Sequence, residues 1–341
     1  MTHLGEPQLA TPREDVQKTG NPLSIAIVGQ SGWGGRIAGM LSKHAADLVM
    51  PTVFADSSVL RLLVGHNRAD VLLRIGYRPG APTARGRAFD ALWSMIRLRH
   101  PGAAVVYYWL GTDVLNAAVD GSERRLRSAF RASASDLHLV AAPWHIDELS
   151  ALGISSTFAA VPYAVASDPV LPMPARFAAL TYLPRGRFDF YGGPQVFELA
   201  RRFPQVAFRV LGGGSRPPEA PGNVEYLGWV SETGPCYQAS AVVLRVVPHD
   251  GIGGTVLEGL AHARHVIYTY PFPHVRQAAF DDVDQMARLL SELTTEHGEG
   301  RLEPNLDGRE YVLQEHDEHR LSRALASELV AAGRVSDGER R

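Results

Sequence analysis

The chain has 341 residues, 45% of them hydrophobic, with 34 basic against 36 acidic side chains and a formal net charge of −2. That length predicts two domains rather than one core, and the even charge gives no ground for a nucleic-acid partner or an anionic membrane surface. The single cysteine, Cys236, rules out an intramolecular disulfide and a cysteine-based metal cluster, and no apolar run is long enough to cross a bilayer, so no transmembrane segment is expected and cytoplasmic residence is the expectation.

Residues 1–22 are polar, with proline, glycine and mixed charge, and predict a disordered leader. Leu23–Val28 reads as a buried parallel strand, followed by a glycine loop at Gly29–Gly35 and a helix from Arg36 to Ala46. Short strands are expected at Val71–Ile75, Ala103–Trp109, Leu137–Ala142 and Thr157–Val161. Helices are expected at Phe89–Arg99, Glu123–Ala134 and His145–Leu152. The four prolines between Val161 and Pro174 break this rhythm and mark an interdomain linker. Alternation then restarts with strands at Ala178–Leu183, Val206–Leu211, Val224–Leu227, Ala241–Val247 and His265–Tyr270. Helices are placed at Pro194–Arg202 and from about Gly254. A charged helix, Leu321–Ala332, and a frayed tail, Gly333–Arg341, close the chain. Alternating strand and helix in both halves predicts an α/β protein of two Rossmann-like, doubly wound parallel-sheet domains facing a central cleft.

The most informative stretch is His249–Glu258, in which Asp250 and Glu258 flank a Gly-Ile-Gly-Gly turn and the start of a helix. A strand, a glycine turn and a helix start aim unpaired backbone N–H groups at one point, an arrangement that holds phosphate. Spacing alone is equally compatible with a capped helix carrying two solvated acids. Asp113, on the Gly-Thr-Asp turn after a strand, is either a candidate catalytic acid pointing into the cleft or the N-cap of a helix at Val114–Ala118. The loop Gly29–Gly35 lacks the middle glycine of the dinucleotide fingerprint, and Asp56 is weak support for a ribose-binding acid, which argues against a nicotinamide cofactor. The 13 histidines show no metal-ligand spacing, so no metal site is expected.

Five blocks carry a resemblance. Phe208–Gly214, Asn223–Val230, Tyr237–Ala241, Asp250–Ala261 and His265–Ile267 occur in the order found in the nucleotide-sugar domain of the retaining glycosyltransferases of family 4 (glycosyl transferases group 1), which have the GT-B fold. The chain resembles that family. The resemblance implies an N-terminal acceptor domain at 23–165, a C-terminal nucleotide-sugar domain at 175–310, and a C-terminal helix and tail at 311–341. It further implies that Glu258 binds the ribose hydroxyls and that Asp250 holds hydroxyls of the transferred sugar near the reacting carbon. The amides of Gly253, Gly254 and Thr255 would meet the sugar or the diphosphate, and Val230 would meet the base through its backbone. Gly213 belongs to the family's glycine turn, and Gly34 and Gly35 to a loop that faces the donor phosphates or the acceptor.

Two departures stand out. The family usually has Glu at the first acidic position, where this chain has Asp250. It also places an Arg and a Lys after the linker strand, where this chain offers Arg185 and Arg187 but has Tyr191 at the Lys position. Arg187 or Arg245 is then the candidate replacement cation. The expected function is transfer of a sugar from a nucleotide diphosphate-sugar to a hydroxyl or amine of a small-molecule or glycan acceptor, with retention, without metal or cofactor, by a monomer or homodimer. The alternatives are a nucleotide-sugar 2-epimerase of the same fold and a catalytically degenerate sugar-nucleotide binding protein.

Overall fold

The computed structural model describes residues 21–29, 31–54, 58–64, 68–76, 84–119, 136–165 and 168–338. The expected leader therefore lies almost entirely outside the described residues, as do the helix expected at Glu123–Ala134 and Asp56. The chain divides into two compact units, Met1–Tyr163 with Asp317–Arg341, and Ala164–His316.

The first unit holds a six-stranded parallel sheet in the order β2-β1-β3-β4-β5-β6. Its strands are β1 (Leu23–Val28), β2 (Val49–Phe54), β3 (Val71–Ile75), β4 (Ala104–Trp109), β5 (Leu137–Val140) and β6 (Thr157–Phe158). β1 and β3 are near-continuous apolar runs because both faces of the sheet are covered. β2 contains Pro51, which a strand tolerates at a sheet edge where one side of the ladder is unpaired.

Helix α1 (Ser31–His44) begins five residues before its expected start. Gly32–Gly35 are thus its first turns and not a loop, which corrects the setting proposed for Gly34 and Gly35. Gly34 is buried, and a Cβ there would lie 3.2 Å from the Gly29 carbonyl and 3.4 Å from Ile27 Cγ2, so this glycine lets the helix lie close on β1. Gly29 makes the tight turn itself, with φ +103° and no room for a Cβ, which would meet Ile75 O at 2.6 Å.

The short helices α2 (Arg61–Val64), α4 (Thr112–Val119) and α5 (Trp144–Ala151) and the longer α3 (Ala84–Arg99) complete the described connections of this unit. Its remaining helix comes from the far end of the chain: Glu318–Gly338 packs on α1, β3 and β4. Leu325, Ala326, Leu329 and Val330 join the core formed by Ile25, Ile27 and Val71. Lys43 pairs with Glu318, and Arg323 with Asp47 at 2.9 Å. Gly333–Gly338 is helical rather than frayed, and Gly333 abuts Leu23.

The second unit repeats the design with a parallel sheet in the order β12-β11-β10-β7-β8-β9. The strands are β7 (Ala178–Tyr182), β8 (Ala207–Leu211), β9 (Val224–Gly228), β10 (Val242–Arg245), β11 (His265–Tyr268) and β12 (Arg276–Gln277). In chain order its helices are α6 (Gly193–Arg202), α7 (Gly234–Gln238), α8 (Gly254–Ala261), α9 (Val283–Gly298) and α10 (Leu306–Glu315), so that Glu318–Gly338 is α11. The sequence did not anticipate β12, α9 or α10. Asp282 and Asn305 cap the two helices, accepting from Gln285 N at 2.7 Å and Gly308 N at 3.0 Å.

No helix or strand occurs among the described residues of the proline-rich 161–174 segment. It is fastened to the second unit by Arg264, fully buried, which donates to Leu171 O at 3.0 Å and Pro172 O at 3.1 Å.

Candidate active site

In the second sheet the strand order reverses between β7 and β10, and ligands of such sheets bind at the carboxyl ends of the strands flanking the reversal. Both strands are buried there, and α8 follows β10 at this end. Helix α8 buries Val256, Leu257, Leu260 and Ala261. Gly259 lets it approach the sheet, since a Cβ would stand 2.9 Å from Val243 Cγ2. Gly253 is the N-cap in extended conformation and makes no side-chain cap bond. The amides of Gly254 and Thr255 therefore lack intrahelical acceptors, as the first N–H groups of any helix do. Thr255 Oγ1 is buried and also without a partner among the described residues.

The loop carrying Asp250 is pinned by three successive residues at the end of β11. Tyr268 OH donates to Asp250 Oδ2 at 3.0 Å and Gly251 O at 2.8 Å. Thr269 Oγ1 donates to Val247 O at 2.6 Å, and Tyr270 OH to Pro248 O at 3.1 Å. None of the three was singled out from sequence, because each acts across 17–22 residues of chain. A cavity of about 490 Å³ opens beside this loop, lined by Val247, Thr269, Tyr270 and Phe280 among others.

Asp250 is held more tightly than a solvated acid. Arg245, the last residue of β10, donates from Nε to Oδ2 at 2.8 Å and from Nη2 to Oδ1 at 2.7 Å, a bidentate fork with both side chains 11% exposed. Burial opposes the charge on Arg245. The charge and hydrogen bonds of Asp250 outweigh it, so the guanidinium is held above its already high ordinary pKa. Burial first, and then the Asp250 charge, push the Tyr268 hydroxyl well above its ordinary pKa and keep it a donor. The other face of Arg245 meets the Tyr191 ring, 4.9 Å from its centroid, and Tyr191 in turn packs edge-on against Tyr182.

Glu258, half-buried on α8, accepts from Thr233 Oγ1 at 3.3 Å. Val230 follows β9 and is half-buried beside Trp229, whose side chain is 79% exposed. Gly212 makes the turn after β8 with φ +126°, and a Cβ there would lie 2.5 Å from Leu183 O; Gly213 beside it is exposed with open space around it. Arg185 and Arg187 are both exposed, and Arg187 lies over the rings of Phe190 at 4.2 Å and Tyr191 at 5.4 Å. The structure thus gathers Asp250, Gly253, Arg245, Tyr191 and Arg187 through successive contacts within one unit.

The remaining candidates belong to the first unit. Asp113 is buried at the start of α4, and its carboxylate accepts from the amides of Gly111 at 2.8 Å, Leu110 at 3.0 Å and Val114 at 3.1 Å. Burial raises its pKa to about 6 against the lowering effect of these amides. The contacts shown by this acid are those of a turn and helix cap. Gly35 is exposed on α1, whereas Gly34 is buried against β1. Among the described residues no group of three His, Cys, Asp or Glu side chains could hold a metal ion, and no helix is long and apolar enough to cross a membrane.

No protein-family model matches the sequence, and no curated protein matches it. Solved structures do match. Anabaena Alr3699/HepE, in complex with UDP and glucose, aligns with a TM-score of 0.68 at 11% identity over 91% of this chain and 100% of its own. Sucrose-phosphate synthase from Thermosynechococcus elongatus aligns with a TM-score of 0.64 at 12% identity, over 88% and 96%. The pneumococcal O-GlcNAc transferase GtfA, in complex with UDP and GlcNAc, aligns with a TM-score of 0.52 at 13% identity, over 82% and 59%. At such identities the likeness establishes the fold. Two sheets of six parallel strands with flanking helices are the architecture of GT-B glycosyltransferases.

Proposed function

We propose that the protein is a glycosyltransferase that takes a sugar from a nucleotide diphosphate-sugar and transfers it, with retention and without a metal ion, to a hydroxyl or amine of a small-molecule or glycan acceptor. The observation that carries this reading is the assembly at the ends of β7 and β10. An acid, a buried arginine, a glycine N-cap and two unpaired amides meet where a doubly wound sheet binds its ligand. The family resemblance of Asp250–Ala261 and the UDP bound in the HepE and GtfA structures support it.

In this reading Glu258 accepts hydrogen bonds from the ribose hydroxyls, and the backbone of Val230 meets the base. Asp250, held by Arg245 and Tyr268, faces the sugar. The bond from the anomeric carbon to the diphosphate oxygen breaks as the acceptor oxygen or nitrogen bonds to that carbon on the same face. The acceptor proton passes to the departing phosphate oxygen. Charge that develops on the diphosphate is stabilised by the amides of Gly254 and Thr255 and by arginine, which are fixed before reaction.

One observation favours a second reading. Both oxygens of Asp250 are engaged within the protein, which suits a sugar-nucleotide binding protein that does not transfer. Calorimetry with UDP, GDP, ADP and dTDP and their glucose derivatives tests the shared part. Failure to bind any of them overturns both readings. Incubating the best donor with and without a panel of alcohols and amines then separates the chemistry. Acceptor-dependent product of unchanged anomeric configuration is expected. Conversion of the donor at C2 without acceptor identifies an epimerase, and an intact donor throughout identifies a binding protein.

A further inference from the structure

The guanidinium of Arg245 is only half used by the protein. A planar guanidinium has five N–H donors arranged along its edges. The inner edge, Nε and one N–H of Nη2, is filled by Asp250 at 2.8 and 2.7 Å. One face is covered by Tyr191. The outer edge, comprising both N–H groups of Nη1 and the second of Nη2, has no acceptor among the described residues. The carboxylate accepts from both Arg245 and Tyr268, while the outer edge of the cation meets no acceptor among the described residues. Neither Nη1 nor Nη2 is among the buried atoms that lack a partner, so this edge reaches solvent and can be met by a ligand. An edge of two parallel N–H groups matches an anion with two oxygens on one centre.

The position of this edge indicates which anion. A Cβ on Gly253 would lie 2.9 Å from Arg245 Nε and 3.0 Å from Asp250 Oδ2, so the pair is packed against the N-cap of α8. Cation edge and helix start therefore address the same space. Tyr191 closes the guanidinium face, leaving the edge as its means of contact with a ligand.

We propose that Arg245 is the residue that discriminates a nucleoside diphosphate from a monophosphate, its outer edge binding the sugar-side phosphate while its inner edge positions Asp250. One side chain then sets the location of both the leaving group and the acid, so the two cannot drift apart. Exposed Arg185 and Arg187 are left to the solvent-facing side of the phosphates. This assignment rests on the nucleotide-sugar reading above and makes a narrower claim.

The test is calorimetric titration of the full chain with UDP and UMP, GDP and GMP, ADP and AMP, and dTDP and dTMP. The wild type is expected to bind one diphosphate roughly 10–100-fold more tightly than its monophosphate, the worth of charge-assisted hydrogen bonds. Arg245→Met combined with Asp250→Leu removes the pair together and leaves no orphaned charge, an exchange that cores tolerate. This double variant is expected to bring the ratio to within about threefold of unity. Removing the acid alone favours an anion, so a fallen ratio is due to the arginine. Arg245→Lys keeps the charge and one bond to Asp250 but has no second edge, so it too should lose most of the ratio. This second variant decides the matter if the double variant binds no nucleotide at all. A ratio maintained in either variant that still binds monophosphate overturns the proposal. A wild type that binds no diphosphate overturns instead the functional reading on which it stands.

Discussion

Removing the carboxylate of Asp250 should destabilise the second unit far more than an acid on a glycine loop normally would. Asp250→Ala deletes two bonds from Arg245, at 2.8 and 2.7 Å, and one from Tyr268 at 3.0 Å. Tyr268 keeps Gly251 O at 2.8 Å and is not orphaned, so it adds little. The main loss is the partner of a guanidinium 11% exposed, and breaking a buried pair from one side costs about 3–5 kcal/mol. For a cooperative unit of this size each kcal/mol moves Tm by roughly 2–4 °C, so a drop of about 6–20 °C is expected. Urea denaturation of wild type, Asp250→Ala, Arg245→Ala and the double alanine variant forms a double-mutant cycle. A coupling of roughly 2 kcal/mol or more is expected, because the second truncation removes a charge already stranded. Additive effects, or an Asp250→Ala loss below about 1 kcal/mol, would show that the fork is a surface ion pair and refute the reasoning.

Three further predictions concern the other candidates. Glu258→Ala removes the carboxylate assigned to the ribose and should weaken diphosphate binding on the order of 10–100-fold. Glu258 accepts from Thr233 Oγ1 at 3.3 Å, and unchanged affinity in the variant would remove it from the site. Trp229, 79% exposed beside Val230, should report nucleotide binding by quenching of its fluorescence. Trp229→Ala should cost about 1–3 kcal/mol of affinity if the base stacks on it, and equal affinity in the variant would mean that it does not. Asp113 has a folded pKa of about 6, above its ordinary 3.8, so the folded state binds the extra proton between those values. Its contribution is therefore fully favourable below the lower value and is lost as pH rises through about 6, a span of about 3 kcal/mol. Urea titrations from pH 4 to 7 should show that slope in the wild type and a flatter one in Asp113→Asn, and parallel profiles would contradict it.

The strands that position the site were legible because buried parallel strands are unbroken apolar runs: Leu23–Val28 and Val71–Ile75 match the structure residue for residue. β2 was not, because Pro51 and the exposed Met50 interrupt its pattern at a sheet edge. Gly32–Gly35 read as a loop because glycine disfavours helices, yet close packing of Gly34 on β1 outweighs that local preference. The spacing of Leu321, Leu325 and Leu329 marks a helix. That it covers the first sheet is a matter of topology, and no local pattern encodes it. The motif Asp250–Glu258 was visible as two acids about a glycine turn. The fork from Arg245 was not, since it depends on a loop shape imposed by Tyr268, Thr269 and Tyr270 from the next strand.

That fork relates the two departures from the resembling family to one another. A Glu at position 250 would carry its carboxylate one methylene further, beyond the position at which Asp250 takes both bonds from Arg245. At its own length Asp250 takes the arginine on both oxygens. A lysine at position 191 would bring a second cation to within about 5 Å of that arginine, a repulsion of roughly 3 kcal/mol at the effective dielectric of a partly buried site. Tyr191 avoids this charge and offers the face of its ring to the guanidinium. Asp250, Tyr191 and Arg245 therefore form a single arrangement in which one buried arginine, rather than an exposed lysine, carries the positive charge at the start of α8. Restoring either family residue alone would disturb that arrangement.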